Sequence, residues 1–261
     1  MKQTILSAKQ SELLENLIGE YGLIVTSGQI IKIAKNNWDY KQAKNLITKL
    51  VKDGWLIRIK RGLYTISELT GRGFLSLSSY TVANLLVKDS YVSFASALQY
   101  HNMFDQLMKK TTSVSLKMYK TTTLNNMEYD FVKTKKQLFF GFEEIVFYNK
   151  TVRIATAEKA LIDMVHFHKS KLMIDVVIEK IINHKHDLDF NRFNEYLSKF
   201  SGTTIKIFGL IFDFLNIDSS KLYKIVKHKR GTNWMLVGDK KFDAKWRIYY
   251  DEFFDQYNEK T

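Results

Sequence analysis

The amino-acid sequence predicts an α+β fold built in two parts. Three observations carry this reading. Apolar residues recur at helical spacing between residues 9 and 52 and are followed at once by two short strand-like segments. Alternating, β-type patterning then dominates residues 112–154, and helical patterning returns from residue 156 to about 228.

The elements follow in order. Lys9–Glu20 reads as a helix with Leu13, Leu14, Leu17 and Ile18 on one stripe, ended by Tyr21-Gly22. Leu23-Ile24-Val25 is a short extended link, and Thr26 or Ser27 is placed to cap a second helix reaching about Lys35. Asn36-Asn37-Trp38 is the turn, Asp39 caps a third helix through Lys52, and Gly54 stops it. The strand Leu56–Ile59, the basic turn Lys60-Arg61-Gly62 and the strand Leu63–Ile66 complete a hairpin. Three helices and a hairpin make a winged helix-turn-helix over residues 1–70, and Ser67–Gly73 reads as a boundary. A larger mixed α/β domain is expected over residues 74–261. Within it, helices are predicted at Ser79–Val87 and Ser93–His101, and strands at Thr112–Lys117, Tyr129–Lys133, Glu144–Tyr148 and Val152–Ile154, with Asn149-Lys150 turning between the last two. Thr156 caps a strong helix with Glu158 in its first turn, three or four helices fill residues 171–228, and Trp234–Tyr250 is expected to return as a hairpin through Val237-Gly238-Asp239 before a short terminal helix. The chain shows no internal repeat.

The third helix carries the clearest chemistry. On a wheel of about 100° per residue, Ala43, Leu46, Ile47, Leu50 and Val51 share one side, and Lys41, Lys44, Asn45, Thr48 and Lys52 share the other. That polar face holds three ammonium groups, an amide and a hydroxyl, and no carboxylate. A recognition helix in a major groove needs this distribution: lysines hold phosphates, and Asn and Thr meet base edges. Asn45 is suited to a bidentate contact with adenine. The hairpin adds Arg58, Lys60 and Arg61, which can reach a phosphate or the adjoining minor groove. A solvated surface helix would share the Lys-rich face; the cationic hairpin beside it is what turns the reading towards double-stranded DNA. A second basic run, Lys221, Lys224, Lys227, Lys229 and Arg230, is a candidate nucleic-acid-contacting patch and equally a solvated helix end, with Leu222, Ile225 and Val226 as its buried side.

Composition narrows the classes. The net charge of +13 favours phosphate-bearing partners, although the Lys-dominated, Pro-free composition has the look of an AT-rich genome. The absence of Cys excludes disulfides, thiolate metal sites and thiol nucleophiles. No apolar run is long enough to span a membrane, and Met1-Lys2-Gln3-Thr4 lacks a signal-peptide core, so a cytoplasmic protein without a membrane partner is expected. No glycine-rich phosphate loop or dinucleotide fingerprint is present. His166 and His168 diverge on one helix, and His184, His186, Asp187 and Asp189 read as a helix end before they read as a metal cluster. Ser93, His101 and Asp105 lack the spacing of a nucleophile elbow, and Glu143 and Glu144 point to opposite faces of a strand. Glu158 has a helix-start role available, and Lys159 is expected at the surface. Catalytic residues, cofactors and metals are therefore expected to be absent.

Four segments resemble AbiEi-type antitoxins. They are Leu50–Tyr64, Tyr91–His101, Phe139-Phe140-Gly141-Phe142-Glu143-Glu144, and Arg153–Asp163, which is similar to the family run Ala-Thr-Pro-Glu-Lys-Ala-Leu-x-Asp. Ala157 stands where the family often has Pro, and either suits a first helical turn. The resemblance covers roughly residues 9–165. It implies an antitoxin of a phage-defence, abortive-infection toxin–antitoxin operon, in which the winged helix binds repeats in its own promoter and represses transcription. It further implies a C-terminal domain that counters a nucleotidyltransferase-like toxin in a type IV arrangement, without a stable complex. An RNA- or nucleotide-processing enzyme that reverses the toxin's modification, and an adaptor whose winged helix binds protein, stand as the alternatives.

Overall fold

The computed structural model describes residues 5–67, 73, 76–147, 150–229 and 231–258. Contacts divide the chain into two compact units, one running up to Lys88 together with Thr123–Met127, the other taking Asp89–Thr122 and the chain from Glu128 onward.

The first unit begins with α1 (Ala8–Tyr21), β1 (Ile24–Thr26), α2 (Ser27–Ala34) and α3 (Tyr40–Lys52). It continues with β2 (Leu56–Lys60), β3 (Leu63–Ile66) and α4 (Ser79–Leu86). One device starts each of its first three helices. Ser7, Thr26 and Asp39 accept a backbone N–H three residues on, and Gln10, Gln29 and Gln42 reach back to the cap residue's own N–H. Each box satisfies two donors the helix would otherwise strand and is worth about 1 kcal/mol. The strands pair antiparallel in the order β1-β3-β2, so the extended link of the sequence is a true sheet strand. Leu13, Leu17, Ile30, Ala43, Leu46 and Leu50 meet Trp55 and Leu56 in the core. Ile18, expected in the α1 stripe, is 43% exposed instead; three of the four stripe residues suffice to seat a helix of this length. The unit extends past residue 70: Val82 and Ala83 of α4 are fully buried, and Lys60 Nζ donates to the Leu86 carbonyl at 3.2 Å. Of the expected boundary, residues 68–72 lie outside the described chain.

From Asp89 onward the chain forms β4 (Ser90–Val92), α5 (Phe94–Tyr100), β5 (Lys110–Ser115), β6 (Thr122–Leu124), β7 (Met127–Lys133), β8 (Phe142–Phe147) and β9 (Lys150–Ala155). These strands form a mixed sheet in the order β6-β7-β5-β4-β9-β8, with parallel pairing in β5/β7 and β4/β9. The turn expected at Asn149-Lys150 falls partly on Asn149, outside the described residues. Helices α6 (Ala157–Phe167), α7 (Lys171–Asn183), α8 (Phe190–Leu197), α9 (Gly202–Phe214) and α10 (Ser220–Val226) follow. Helix α9 is the most buried of them, with Phe208, Ile211 and Phe212 inaccessible to solvent.

The C-terminal segment departs from expectation. Strand β10 (Asn233–Trp234) pairs in parallel with β12 (Ile248–Tyr250), and the antiparallel partner of β12 is β11 (Lys241–Asp243). The hairpin therefore closes after Asp243, because β11 takes the antiparallel position beside β12. The terminal helix is a 3₁₀ turn, Glu252–Tyr257. Both helices and strands contribute throughout, and the fold is α+β.

Trp246 locks this segment to α9. Its ring is fully buried, its Nε1 donates to Asp213 Oδ2 at 2.7 Å, and it occupies the space a side chain on Gly209 would need. Gly209→Ala is expected to destabilise the chain by about 1–3 kcal/mol through overpacking, read as a lower urea midpoint by tryptophan fluorescence. An unchanged midpoint would show that the indole can move aside.

Candidate nucleic-acid interface

Helix α3 divides as its sequence pattern requires. Ala43, Leu46, Ile47 and Leu50 are buried, while Lys41, Lys44, Asn45, Thr48 and Lys52 are all exposed. The carboxylate nearest in sequence to the start of this face, Asp39, is consumed as the α3 cap, accepting from Gln42 N at 2.7 Å. Thr48 Oγ1 donates to the Lys44 carbonyl at 3.3 Å, which leaves its lone pairs available. Lys44 Nζ lies 4.4 Å from the centre of the Tyr40 ring. Tyr40 is 57% exposed at the N-terminal end of the face, and the helical wheel did not single it out. A large exposed aromatic beside a lysine was the available signal. Lys49 is also exposed and widens the basic surface.

The hairpin stands at the start of α2. Ser27 N donates to the Gly62 carbonyl at 2.9 Å, tying the first residue of α2 to the hairpin tip, and Gly62 has φ +76°, a conformation that favours glycine. The register of β2 against β3 shifts between Arg58 and Lys60, a bulge that buries Ile59 and leaves Arg58 and Lys60 exposed. Arg61 is exposed at the tip. Lys60, grouped with it by sequence, spends one donor on α4 and is held back from the tip. The candidate groups are thus five exposed α3 side chains together with Arg58 and Arg61 of the hairpin that follows α3.

In the second unit, Lys221, Lys224, Lys227 and Lys229 are exposed and Arg230 lies outside the described residues. Leu222 and Val226 are buried as expected, but Ile225 is 38% exposed, so the buried side of α10 is narrower than the wheel predicted. Lys221 Nζ donates to Asn191 Oδ1 at 2.9 Å. The Ser220 backbone amide and hydroxyl, aided by Lys221 and Lys224, hold the Asp218 carboxyl below the usual carboxylate range. These lysines are therefore partly engaged within their own unit.

The pair Glu158-Lys159 corrects the sequence reading. Lys159 is fully buried on α6, not exposed. Its ammonium donates to Asp163 Oδ1 one turn on and to the Tyr91 hydroxyl at 2.7 Å. The Asp163 carboxylate also accepts from the Tyr91 hydroxyl at 3.0 Å and from Ser93 Oγ at 2.8 Å. The rings of Tyr91, Phe140 and Phe200 surround the ammonium at 5.0, 5.3 and 5.2 Å. Burial pushes the Lys159 ammonium below the usual lysine range against the pull of Asp163, and burial beside Asp163 drives the Tyr91 phenol well above its usual range. Gly141, at φ +76°, is packed so closely on this lysine that a Cβ would stand 3.0 Å from Lys159 Cγ. Glu158 is buried too: Oε1 accepts from Asp189 N at 2.9 Å, fixing the start of α8. The side chains of Lys159 and Asp163 are both fully buried, so the network ties α6 to β4 inside the unit.

Three of the histidines are similarly occupied. His166 Nδ1 bonds the Thr204 hydroxyl at 3.0 Å, His168 stacks on Phe94, and His184 meets Asp187 at 3.3 Å. Among the described residues no group of three or more His, Asp or Glu could hold a metal ion, and no helix is long and apolar enough to cross a membrane.

No family model matches the chain, and no curated protein matches it. Among solved structures it is similar to the RV2827C protein from Mycobacterium tuberculosis, with a TM-score of 0.68 and 11% identity over 95% of this chain and 92% of that one. At that identity the likeness shows the fold alone: the same α+β architecture extends over nearly the full length of both chains.

Asp163→Asn should strand the Lys159 ammonium without its counter-charge and cost about 3–5 kcal/mol. In a double-mutant cycle by chemical unfolding, adding Lys159→Met should recover part of that loss. Additive penalties, or an Asp163→Asn variant as stable as the parent, would remove the pair from its structural role.

Proposed function

We propose that the chain is a DNA-binding transcriptional repressor that serves as the antitoxin of a phage-defence toxin–antitoxin operon in the cytoplasm. One observation carries the DNA-binding part: α3 exposes Lys41, Lys44, Asn45, Thr48 and Lys52 on one carboxylate-free face, with Arg58 and Arg61 on the adjoining hairpin. The element order α1-β1-α2-α3-β2-β3 and the antiparallel order β1-β3-β2 are those of a winged helix, which supports α3 as the groove-entering helix. In this reading Lys41, Lys44 and Lys52 neutralise phosphates, Asn45 and Thr48 meet base edges, and Arg61 follows the backbone or enters the minor groove.

The antitoxin role rests on the resemblance of Leu50–Tyr64, Tyr91–His101, Phe139–Glu144 and Arg153–Asp163 to AbiEi-type antitoxins. Under it, unit 1 binds repeats in the operon's own promoter, and unit 2 counters a nucleotidyltransferase-like toxin without a lasting complex. The buried Lys159-Asp163 network accounts for why the Glu-Lys-Ala-Leu-x-Asp run has the form it does: its Lys and Asp are one turn apart and ion-paired inside the unit.

The full-length chain should retard DNA taken from upstream of its own reading frame. Affinity should fall with salt at a slope of roughly 0.9 per neutralised phosphate. Lys44→Glu with Arg61→Glu should abolish the shift at moderate salt, whereas Asn45→Ala should cost about 1–3 kcal/mol of discrimination and leave the salt slope unchanged. Undiminished binding by the double variant would refute the assignment. For the antitoxin role, co-expression with the neighbouring toxin should restore growth in cells carrying the chain, and growth arrest despite a folded chain would refute it.

A further inference from the structure

Unit 2 contains a cleft of about 590 Å³ whose lining shares only Phe200 with the buried network. Lys133, at the end of β7, and Lys135 enter it from one side, and Lys199, after α8, from the other. His166 of α6 and Ser201, the cap of α9, complete its polar lining. Three ammonium groups and an imidazole therefore converge with no carboxylate among the lining side chains. Lys133 and Lys135 are exposed, and neither has an ion-pair partner among the described residues. Lys199 is shared with Glu195 at 3.4 Å. Like charges gathered in a concavity repel one another unless an anion joins them.

Other features of the cleft are independent of its charge. Thr134, only 7% exposed, lines it, and its hydroxyl oxygen has no hydrogen-bond partner. Unpaired buried hydroxyls are uncommon in folded proteins. Ser201 caps α9, a helix of 13 residues, so the positive end of a long helix dipole meets the cleft. A chain of bonds from Ser201 Oγ through Thr204 Oγ1 to His166 Nδ1, at 2.9 and 3.0 Å, holds the imidazole in place. Burial, assisted by Lys159, Lys169 and Lys135, holds His166 below the usual imidazole range despite Asp163, as expected for a ring in a strongly positive setting. Phe167, Phe200 and Leu138 supply an apolar part of the lining against which a planar ring can pack.

We propose that this cleft binds a free nucleotide, its phosphates held by Lys133, Lys135 and the start of α9, and its base laid against Phe167 and Phe200. The volume suits such a ligand, since small-molecule pockets span roughly 300–1,000 Å³. Bare phosphate would leave the apolar lining unused, and a nucleoside would leave the cations unpaired.

Isothermal titration of the full-length chain with ATP, AMP, adenosine and pyrophosphate tests this. ATP should bind with a Kd below about 1 mM, more tightly than AMP, and both adenosine and pyrophosphate should bind more weakly than ATP. Lys133→Glu with Lys135→Glu, at two exposed positions, should weaken ATP about tenfold or more, with an unchanged circular dichroism spectrum. Lys44→Glu with Arg61→Glu, in the other unit, should bind ATP as the parent does, which separates this site from the DNA surface. The His166 imidazole resonances should shift on titration. Equal ATP affinity in parent and Lys133/Lys135 variant, pyrophosphate as tight as ATP, or binding confined to a 5′-phosphorylated RNA oligonucleotide would each overturn the proposal.

Discussion

The second unit depends on a charge pair with no water around it. Taking the Lys159 ammonium and the Asp163 carboxylate out of solvent costs several kcal/mol for each ion. That cost is offset only because nearly every remaining hydrogen-bonding position is filled: Tyr91 bonds both ions, and Ser93 bonds the carboxylate. The consequences spread outward. Tyr91 lies on β4 and Lys159 on α6, so the network fixes how the sheet meets α6. Phe140 and Phe200 must stay over the ammonium, and Gly141 must stay glycine for the chain to pass beside it. Phe94, directly after Ser93, accepts φ +56° so that Ser93 can face Asp163 while α5 begins.

Helix α3 shows the opposite solution to the same electrostatics. Its lysines avoid desolvation by remaining outside, and they find no carboxylate there. Some exposed lysines elsewhere are paired: Lys110 lies 3.1 Å from both Glu128 and Asp130, Lys171 is 2.9 Å from Asp251, and Lys245 is 2.7 Å from Asp213. Exposed pairs of this kind contribute about 1 kcal/mol or less each, but they do neutralise the local field. Where such partners are missing, the positive field is not cancelled locally.

The first unit was legible because its signals are local. Capping residues, a 3.6-residue period and a Gly-containing turn act within a few positions, so α1, α2, α3 and the hairpin could be placed almost to the residue. The polar face of α3 was legible for the same reason. Signals that depend on distant chain were not. Glu158 and Lys159 look like surface residues in a first helical turn, and only the arrival of Asp189, Tyr91, Phe140 and Phe200 makes their burial tolerable. Strand β10 has two residues, and its parallel partner lies beyond β11, so no local alternation could announce it. The cleft at His166 joins residues from three separate stretches of chain, none of which carries a motif.

Net charge is a blunt guide in a chain of this composition. A lysine-rich codon bias adds ammonium groups wherever the surface tolerates them, and it adds them to inert faces as readily as to working ones. Carboxylates are the more informative variable. There are 27 of them against 40 basic residues, enough to neutralise most local lysine clusters if they were spread evenly. They are instead absent from the outer face of α3 and from the lining of the His166 cleft, while several close by in sequence are committed to other bonds: Asp39 to its helix cap, Asp163 to Lys159, Glu158 to the start of α8. A surface shaped by composition alone would place acids among its lysines. Two surfaces that exclude acids, one on a helix and the other a concavity lined in part by aromatic rings, are what the two proposals rest on: the backbone of a duplex on the first and the phosphates of a small ligand in the second.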